Sequence, residues 1–148
     1  MNHTSMHNAT FATASITRDA ALTLSAAARH AADQLGIKVA IAITDRAGHL
    51  KAFEGADGVP FLAIEVAIDK AWSAAAFGLG THVWNELVKD PKVAQLAHRP
   101  RLVTVGGGLP IVLAGQVVGG IGISGATADM DHDAACKALA ASGFEIPN

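Results

Sequence analysis

The sequence predicts an α+β fold: an antiparallel five-stranded sheet flanked by helices, in the order α-β-β-α-α-β-β-β-α. Three observations carry this. A β-branched run, KVAIAITD, is followed by a glycine-containing turn and a second short run, LKAFEG, which is the pattern of a hairpin. The alanine-rich stretches at 17–35, 60–76 and 127–142 read as helices. The strands do not alternate singly with helices, so the βαβ units of a parallel sheet are missing.

Residues 1–16 are polar and are expected to form a flexible arm ahead of a single domain at 17–148. The helix at 17–35 opens with Asp19 in its first turn and stops at Gly36. Ala21, Leu22, Leu24, Ala28, Ala32 and Leu35 give it an apolar stripe. KVAIAITD (38–45) is nearly continuously apolar and is expected to be a central strand. RAGH (46–49) turns the chain, with Gly48 able to take positive φ, and LKAFEG (50–55) returns. ADG (56–58) breaks the sheet, and Pro60 suits the first turn of a helix running to Ala76. Phe61, Ile64, Ile68, Trp72 and Ala75 fall on one face of that helix, at the spacing of a core-facing stripe.

FGLG (77–80) ends this helix, and Thr81 is the expected N-cap of a shorter one. Residues 91–100 read as a helical turn or loop closed by Pro100. RLVTV (101–105) is predicted as the third strand, GLPIVLAG (108–115) as the fourth and QVVGGIGISG (116–125) as the fifth, with a tight turn at Ala114-Gly115-Gln116. Thr127 can cap the closing helix, whose Asp129, Asp131 and Asp133 suit the positive end of its dipole.

With 51% apolar residues and mean hydropathy +0.34, the chain has ample material for a core. A net charge of −2 and the absence of a Lys/Arg run exclude nucleic acid as an electrostatic partner. No run approaches the ~20 apolar residues of a membrane span. The N-terminus lacks the basic and apolar regions of a signal peptide, so a cytoplasmic protein with no membrane partner is expected. Cys136 is the single cysteine, which excludes an internal disulfide, and its helical context suits a buried thiol. No zinc-type Cys/His spacing occurs, and His3 and His7 lie on the polar arm, so no metal is expected.

The glycine-rich stretch 102–129 raises the question of phosphate binding. A P-loop needs a Gly-Lys pair, which is absent. Gly120, Gly122 and Gly125 do form GxGxxG, but between antiparallel strands rather than within a βαβ unit. Glycine inside a strand marks a bulge or the close approach of another backbone or a ligand. The bend Gly106-Gly107-Gly108 is rich in N–H groups and can hold a carboxylate without a lysine.

IAITDRAGHLKAF, ADGVP, AIDKAWSAAAF and VTVGGGLPIVLAGQVVGGIGISGATADMDHDAAC, in this order, resemble the signature of the GlcG/HbpS-like haem-degrading domain family. That family includes the C-terminal domain of PduO-type cobalamin adenosyltransferases. The resemblance spans residues 17–142. It implies a profilin-like fold and homo-oligomers from dimer to octamer. It also implies either haem binding or a role in small-organic catabolism. Positions matching the pattern include Asp45, Asp57, Gly58, Lys70, Gly107, Gly108, Pro110, Gly122 and Asp133. Many members carry an arginine just before the Asp-Gly pair, where this chain has Phe53-Glu54-Gly55-Ala56.

Three readings follow. The first is a small-ligand protein that binds or acts on a small organic acid without a cofactor. Its step would be of lyase, isomerase, deaminase or hydrolase type. Glu54, Asp57, Lys70 and His82 are its catalytic candidates; Gly106, Gly107, Gly108, Pro110, Trp72 and His132 are its ligand-binding candidates. Lys70 in apolar surroundings suits a base or Schiff-base role, and pairing with Glu65 or Asp45 is the scaffold alternative. The second reading is haem, for which His82 is the best-placed axial ligand among His30, His49, His82, His98 and His132. The third is a non-catalytic oligomeric accessory protein.

Overall fold

A computed structural model describes residues 8–147. Residues 1–7, with His3 and His7, lie outside the described residues, as does Asn148. Among these residues four α-helices and four strands follow one another as α1 (Arg18–Leu35), β1 (Ala40–Asp45), β2 (Leu50–Gly55), α2 (Phe61–Phe77), α3 (Thr81–Leu87), β3 (Gly108–Leu113), β4 (Gln116–Ser124) and α4 (Ala128–Ala141). A 3-10 turn, Ala94–His98, lies between α3 and β3. The sheet is antiparallel with strand order β2-β1-β4-β3.

Local chemistry sets most of these boundaries. Thr17 caps α1 by accepting from the Ala20 N–H, and Gly36 ends it at φ 71°. Thr127 caps α4 by accepting from the Met130 N–H. The β3–β4 hairpin turns on Ala114 and Gly115, both left-handed at φ 51° and 75°, as a two-residue hairpin requires.

The sheet separates two unlike layers. On one face, α1 and α4 close the main core, in which Leu24, Ala28, Ala135 and Leu139 meet Ile41, Ile43, Leu109, Ile111, Ile121 and Ile123. On the other face α2 packs alone, with Ala67 and Ala71 against Ala40 and Ala42. Side chains alternate across a strand, so β4 sends Ile121 and Ile123 into the main core and turns Gly120 and Gly122 toward α2. A Cβ on Gly122 would collide with the Ala67 carbonyl oxygen, and one on Gly120 with that of Ala71. These glycines therefore admit a helix backbone, and they bind no phosphate.

Three expectations need correction. The predicted strand at 101–105 does not form, so the sheet has four strands rather than five. Side chains of the helices take the backbone groups a ladder would have used. Ser73 Oγ donates to the Arg101 carbonyl and accepts from the Val103 N–H, both at 3.0 Å, and Asn85 Nδ2 donates to the Thr104 carbonyl at 2.9 Å. The core face of α2 is not the bulky stripe. Ala63, Ala67, Lys70, Ala71 and Ala74 are buried, whereas Phe61 is 87% exposed. Contact with a glycine strand seats alanine methyls closest; of the expected stripe, Ala75 is buried and Ile64 and Ile68 pack half-buried beside that contact. Thr81 is the first residue of α3 rather than its cap, because its hydroxyl accepts from the Gly108 N–H at 2.8 Å instead.

Gly122→Ala is expected to destabilise the fold by about 1–3 kcal/mol, the usual range for overpacking a filled core. Urea denaturation measures this. An unchanged midpoint would mean that α2 is free to shift off the sheet.

Candidate functional site

Close seating of α2 brings Lys70 to the end of β4. The residue is 2% exposed. Nζ donates to the Ile123 carbonyl at 2.9 Å and to Asp131 Oδ2 at 3.3 Å. Asp131, in the first turn of α4, is equally buried, and its Oδ1 accepts from the Ala126 N–H at 3.1 Å. Gly107, at φ 125°, leaves the space that Nζ occupies, since a Cβ there would meet the ammonium. Burial holds the Lys70 pKa below the ordinary lysine value and Asp131 above the ordinary carboxylate value; their mutual attraction opposes both shifts.

One residue along from Gly107 and from Asp131, a cavity of about 350 Å³ opens between α3 and α4. His82, Gly106, Ala128 and His132 form its inner wall, and the exposed side chains of Asn85, Glu86 and Asp129 stand at its mouth. The His82 and His132 rings meet edge to face, with centroids 4.4 Å apart and planes at 61°. Each ring has a buried Nδ1 with no hydrogen-bond partner. His132 Nε2 lies 3.5 Å from Cys136 Sγ, one turn further along α4. Burial, and then the neighbouring His132, lower the pKa of His82, so its ring is neutral near pH 7. Burial and the Asp133 carboxylate raise the Cys136 thiol, which keeps it protonated.

The catalytic candidates separate in space. His82 faces this cavity. Lys70 lies behind its wall, paired with Asp131 rather than with Glu65 or Asp45. Glu54 and Asp57 line a different depression of about 310 Å³ between α1 and the end of β2. Glu54 is engaged there, accepting from Arg29 Nε at 2.6 Å and from Ser25 Oγ at 2.7 Å. Its pKa is lowered: burial works upward, and the Arg29 and Ser25 hydrogen bonds outweigh it.

The ligand-binding candidates divide as well. Gly106 and His132 line the His82 cavity. Gly107 and Gly108 are packed beneath Lys70 and Thr81, and the Gly108 N–H is already taken by Thr81. Pro110 is buried in β3, opposite Gly120. Trp72 carries the Arg101 guanidinium 4.5 Å above its ring centroid and does not line the cavity. His30, His49 and His98 are exposed. Sequence reasoning missed Asp131 as the partner of Lys70. The signal was one buried-looking lysine and a first-turn acid beside His132, but the contact joins residues 61 positions apart.

Among the described residues, no group of three or more His, Cys, Asp or Glu side chains is arranged to hold a metal ion. No helix among them is long and apolar enough to cross a membrane. The chain matches the family described as haem degrading protein HbpS-like over residues 16–140. It belongs to the HbpS-like family. A 15.0 kDa protein from the dhaT-dhaS intergenic region of Citrobacter freundii is 30% identical over 129 residues, which is 85% of this chain and 91% of that one. The crystal structure of Klebsiella pneumoniae protein ORFY has TM-score 0.86 at 29% identity, covering 92% of this chain and 96% of that chain. PduOC, crystallised as a complex with heme, has TM-score 0.81 at 28% identity, covering 90% of this chain and 99% of that chain. The HbpS-like fold is thus shared along nearly the whole chain.

Removing one partner of a buried ion pair strands the other charge. Lys70→Met is therefore expected to cost about 3–5 kcal/mol in denaturant, with a smaller loss in Lys70→Met/Asp131→Leu. A double variant as unstable as the sum of the singles would show that the two groups do not interact.

His82 supplies a pH signature. The unfolded chain takes up a proton near the ordinary histidine value of 6.5, whereas folded His82 resists it. Stability is full above that pH and falls as pH drops through it toward the folded value. His82→Gln should flatten this slope; an equal slope in the variant would remove His82 as its source.

Proposed function

We propose that this HbpS-like chain binds a small organic acid bearing a hydroxyl or oxo group in the His82–His132 cavity. The observation that carries the reading is the pair of touching imidazoles, each with a buried nitrogen lacking a partner. Groups of this kind are costly in a fold that gives them no role. The cavity's size lies in the small-ligand range.

Gly106 and the first turn of α4 bring backbone to the same wall. N–H groups at a helix start favour a carboxylate. Glu86 and Asp129 at the mouth repel a second negative charge, so a monocarboxylate is preferred. A neutral His82 can take a proton from a hydroxyl group and return it as the imidazolium, which suits a hydroxyl or oxo group beside the carboxylate. Homo-oligomerisation is part of this reading. Exposed Phe53, Phe61, Leu62 and Phe77 supply apolar surface of the kind subunit contacts cover.

Calorimetric titration with glycolate, lactate and pyruvate tests the proposal, with malonate as the doubly charged control. Binding of at least one monoacid is expected, weakened about tenfold or more in His82→Ala, a loss of ~1.4 kcal/mol. Absence of heat with every monoacid, or equal binding to His82→Ala, would exclude this site.

Haem is a second reading, supported by the shared fold with the PduOC complex and by the place of His82 in the cavity wall. An axial ligand alone does not make a haem site; the macrocycle also needs a broad apolar slot. Here Gly106 and Ala128 give a narrow wall, and Glu86 and Asp129 oppose the propionates. Within one chain the residues fit an axial ligand but not the macrocycle. A Soret shift with equimolar haemin that is lost in His82→Ala would support haem; an unchanged spectrum would dismiss it.

A further inference from the structure

Arg101 adopts a backbone conformation that L residues avoid. Its φ is +71°, and Ala114 is the one other non-glycine residue at positive φ among those described. Ala114 stands in a hairpin turn that demands this geometry. No hairpin surrounds Arg101. A strained backbone persists where its surroundings fix it more strongly than its own preference, and such places gather at functional sites.

The surroundings of Arg101 do fix it. Its Nε donates to Asp69 Oδ1 at 2.9 Å, and its guanidinium stacks 4.5 Å over Trp72. Its carbonyl accepts from Ser73 Oγ, which in turn accepts from the Val103 N–H. Ser73 is fully buried, and all three anchors belong to α2. Further along, Thr104 is held by Asn85 and Gly108 by Thr81, both on α3. Residues 101–108 thus form a strap pinned at both ends. Between the pins lie Val105 and Gly106, which line the His82–His132 cavity. The strap lies beside both walls of the site: a Cβ on Gly106 would stand at ordinary contact distance, 3.5 Å, from both His82 Cβ and the Ala128 carbonyl oxygen.

We propose that Arg101 is a positioning residue for the His82–His132 cavity: its strained, α2-anchored turn sets where Val105 and Gly106 meet the two imidazoles. The inference rests on that cavity being the functional site. It also gives Trp72 a role, as the platform for Arg101 rather than as a ligand wall.

Two variants separate placement of the cavity wall from support of the fold. Arg101→Ala loses the two side-chain anchors, on Asp69 and Trp72, and keeps the strain; Arg101→Gly loses the same two anchors and the strain together, while the backbone contacts to Ser73 stay in both. Stability is read by urea denaturation. The cavity is read from the ring C–H signals of His82 and His132 in proton NMR at pH 8. Arg101→Ala is expected to lower the urea midpoint and shift both histidines. Arg101→Gly should recover part of the midpoint and leave the histidine signals displaced.

Wild-type histidine signals in Arg101→Gly would mean that Arg101 only buttresses the fold, and the proposal fails. Should Arg101→Gly not fold, Asp69→Ala decides in its place. It removes one partly exposed contact, and shifted histidine signals support the proposal while unchanged ones overturn it. No ligand enters this measurement, so failure of the monoacid titration and failure of the strap are told apart.

Discussion

Helix α2 approaches the sheet so closely that the carbonyls of Ala67 and Ala71 fill the space where Gly122 and Gly120 would carry side chains. The rest of the molecule is arranged around that contact. It requires glycine at alternate positions of β4 and alanine on the inner face of α2, and it turns larger side chains outward. It also places Lys70 where no water reaches, at the point where β4 ends and α4 begins. A buried ammonium must be paired, and Asp131 pairs it. That pair fixes the first turn of α4, and the next residue along is His132.

The candidate site is therefore a consequence of packing two layers away. The buried Lys70–Asp131 pair lies behind its wall and the two imidazoles in front. The low-dielectric surroundings that make the Lys70–Asp131 attraction effective also keep His82 unprotonated. His82 brings a neutral imidazole to this wall rather than a fixed positive charge. Selectivity for charge then falls to backbone N–H groups on the inside and to Glu86 and Asp129 at the mouth.

Segment 101–108 shows how tertiary contacts override local preference. RLVTV has the composition of a strand, and β3 beyond it offers a natural continuation. Its hydrogen-bonding groups are instead satisfied by Ser73, Asn85 and Thr81 from two helices. A strand there would have extended the sheet edge; the strap instead bends inward and closes the cavity. The shape of the site depends on this exchange of ladder bonds for side-chain bonds.

Much of the architecture was legible because its causes are local. Thr17 and Gly36 bound α1, Gly48 and Gly115 mark the two hairpins, and Thr127 starts α4 through hydrogen bonds and φ preferences acting within a few residues. The close approach of a backbone to β4 was legible too, since glycine inside a strand has few other physical reasons. His82 and His132 could be singled out as residues, and Gly106 as part of a bend. Their meeting could not, because it joins the starts of two helices 50 positions apart. The sequence by itself determined the element order, the turns and the glycine face. Only the tertiary structure decided that Lys70 meets Asp131, that Glu54 is tied to Arg29, and that RLVTV is a strap. Those outcomes depend on which polar groups lose water together, and burial is a property of the packed chain rather than of any stretch of it.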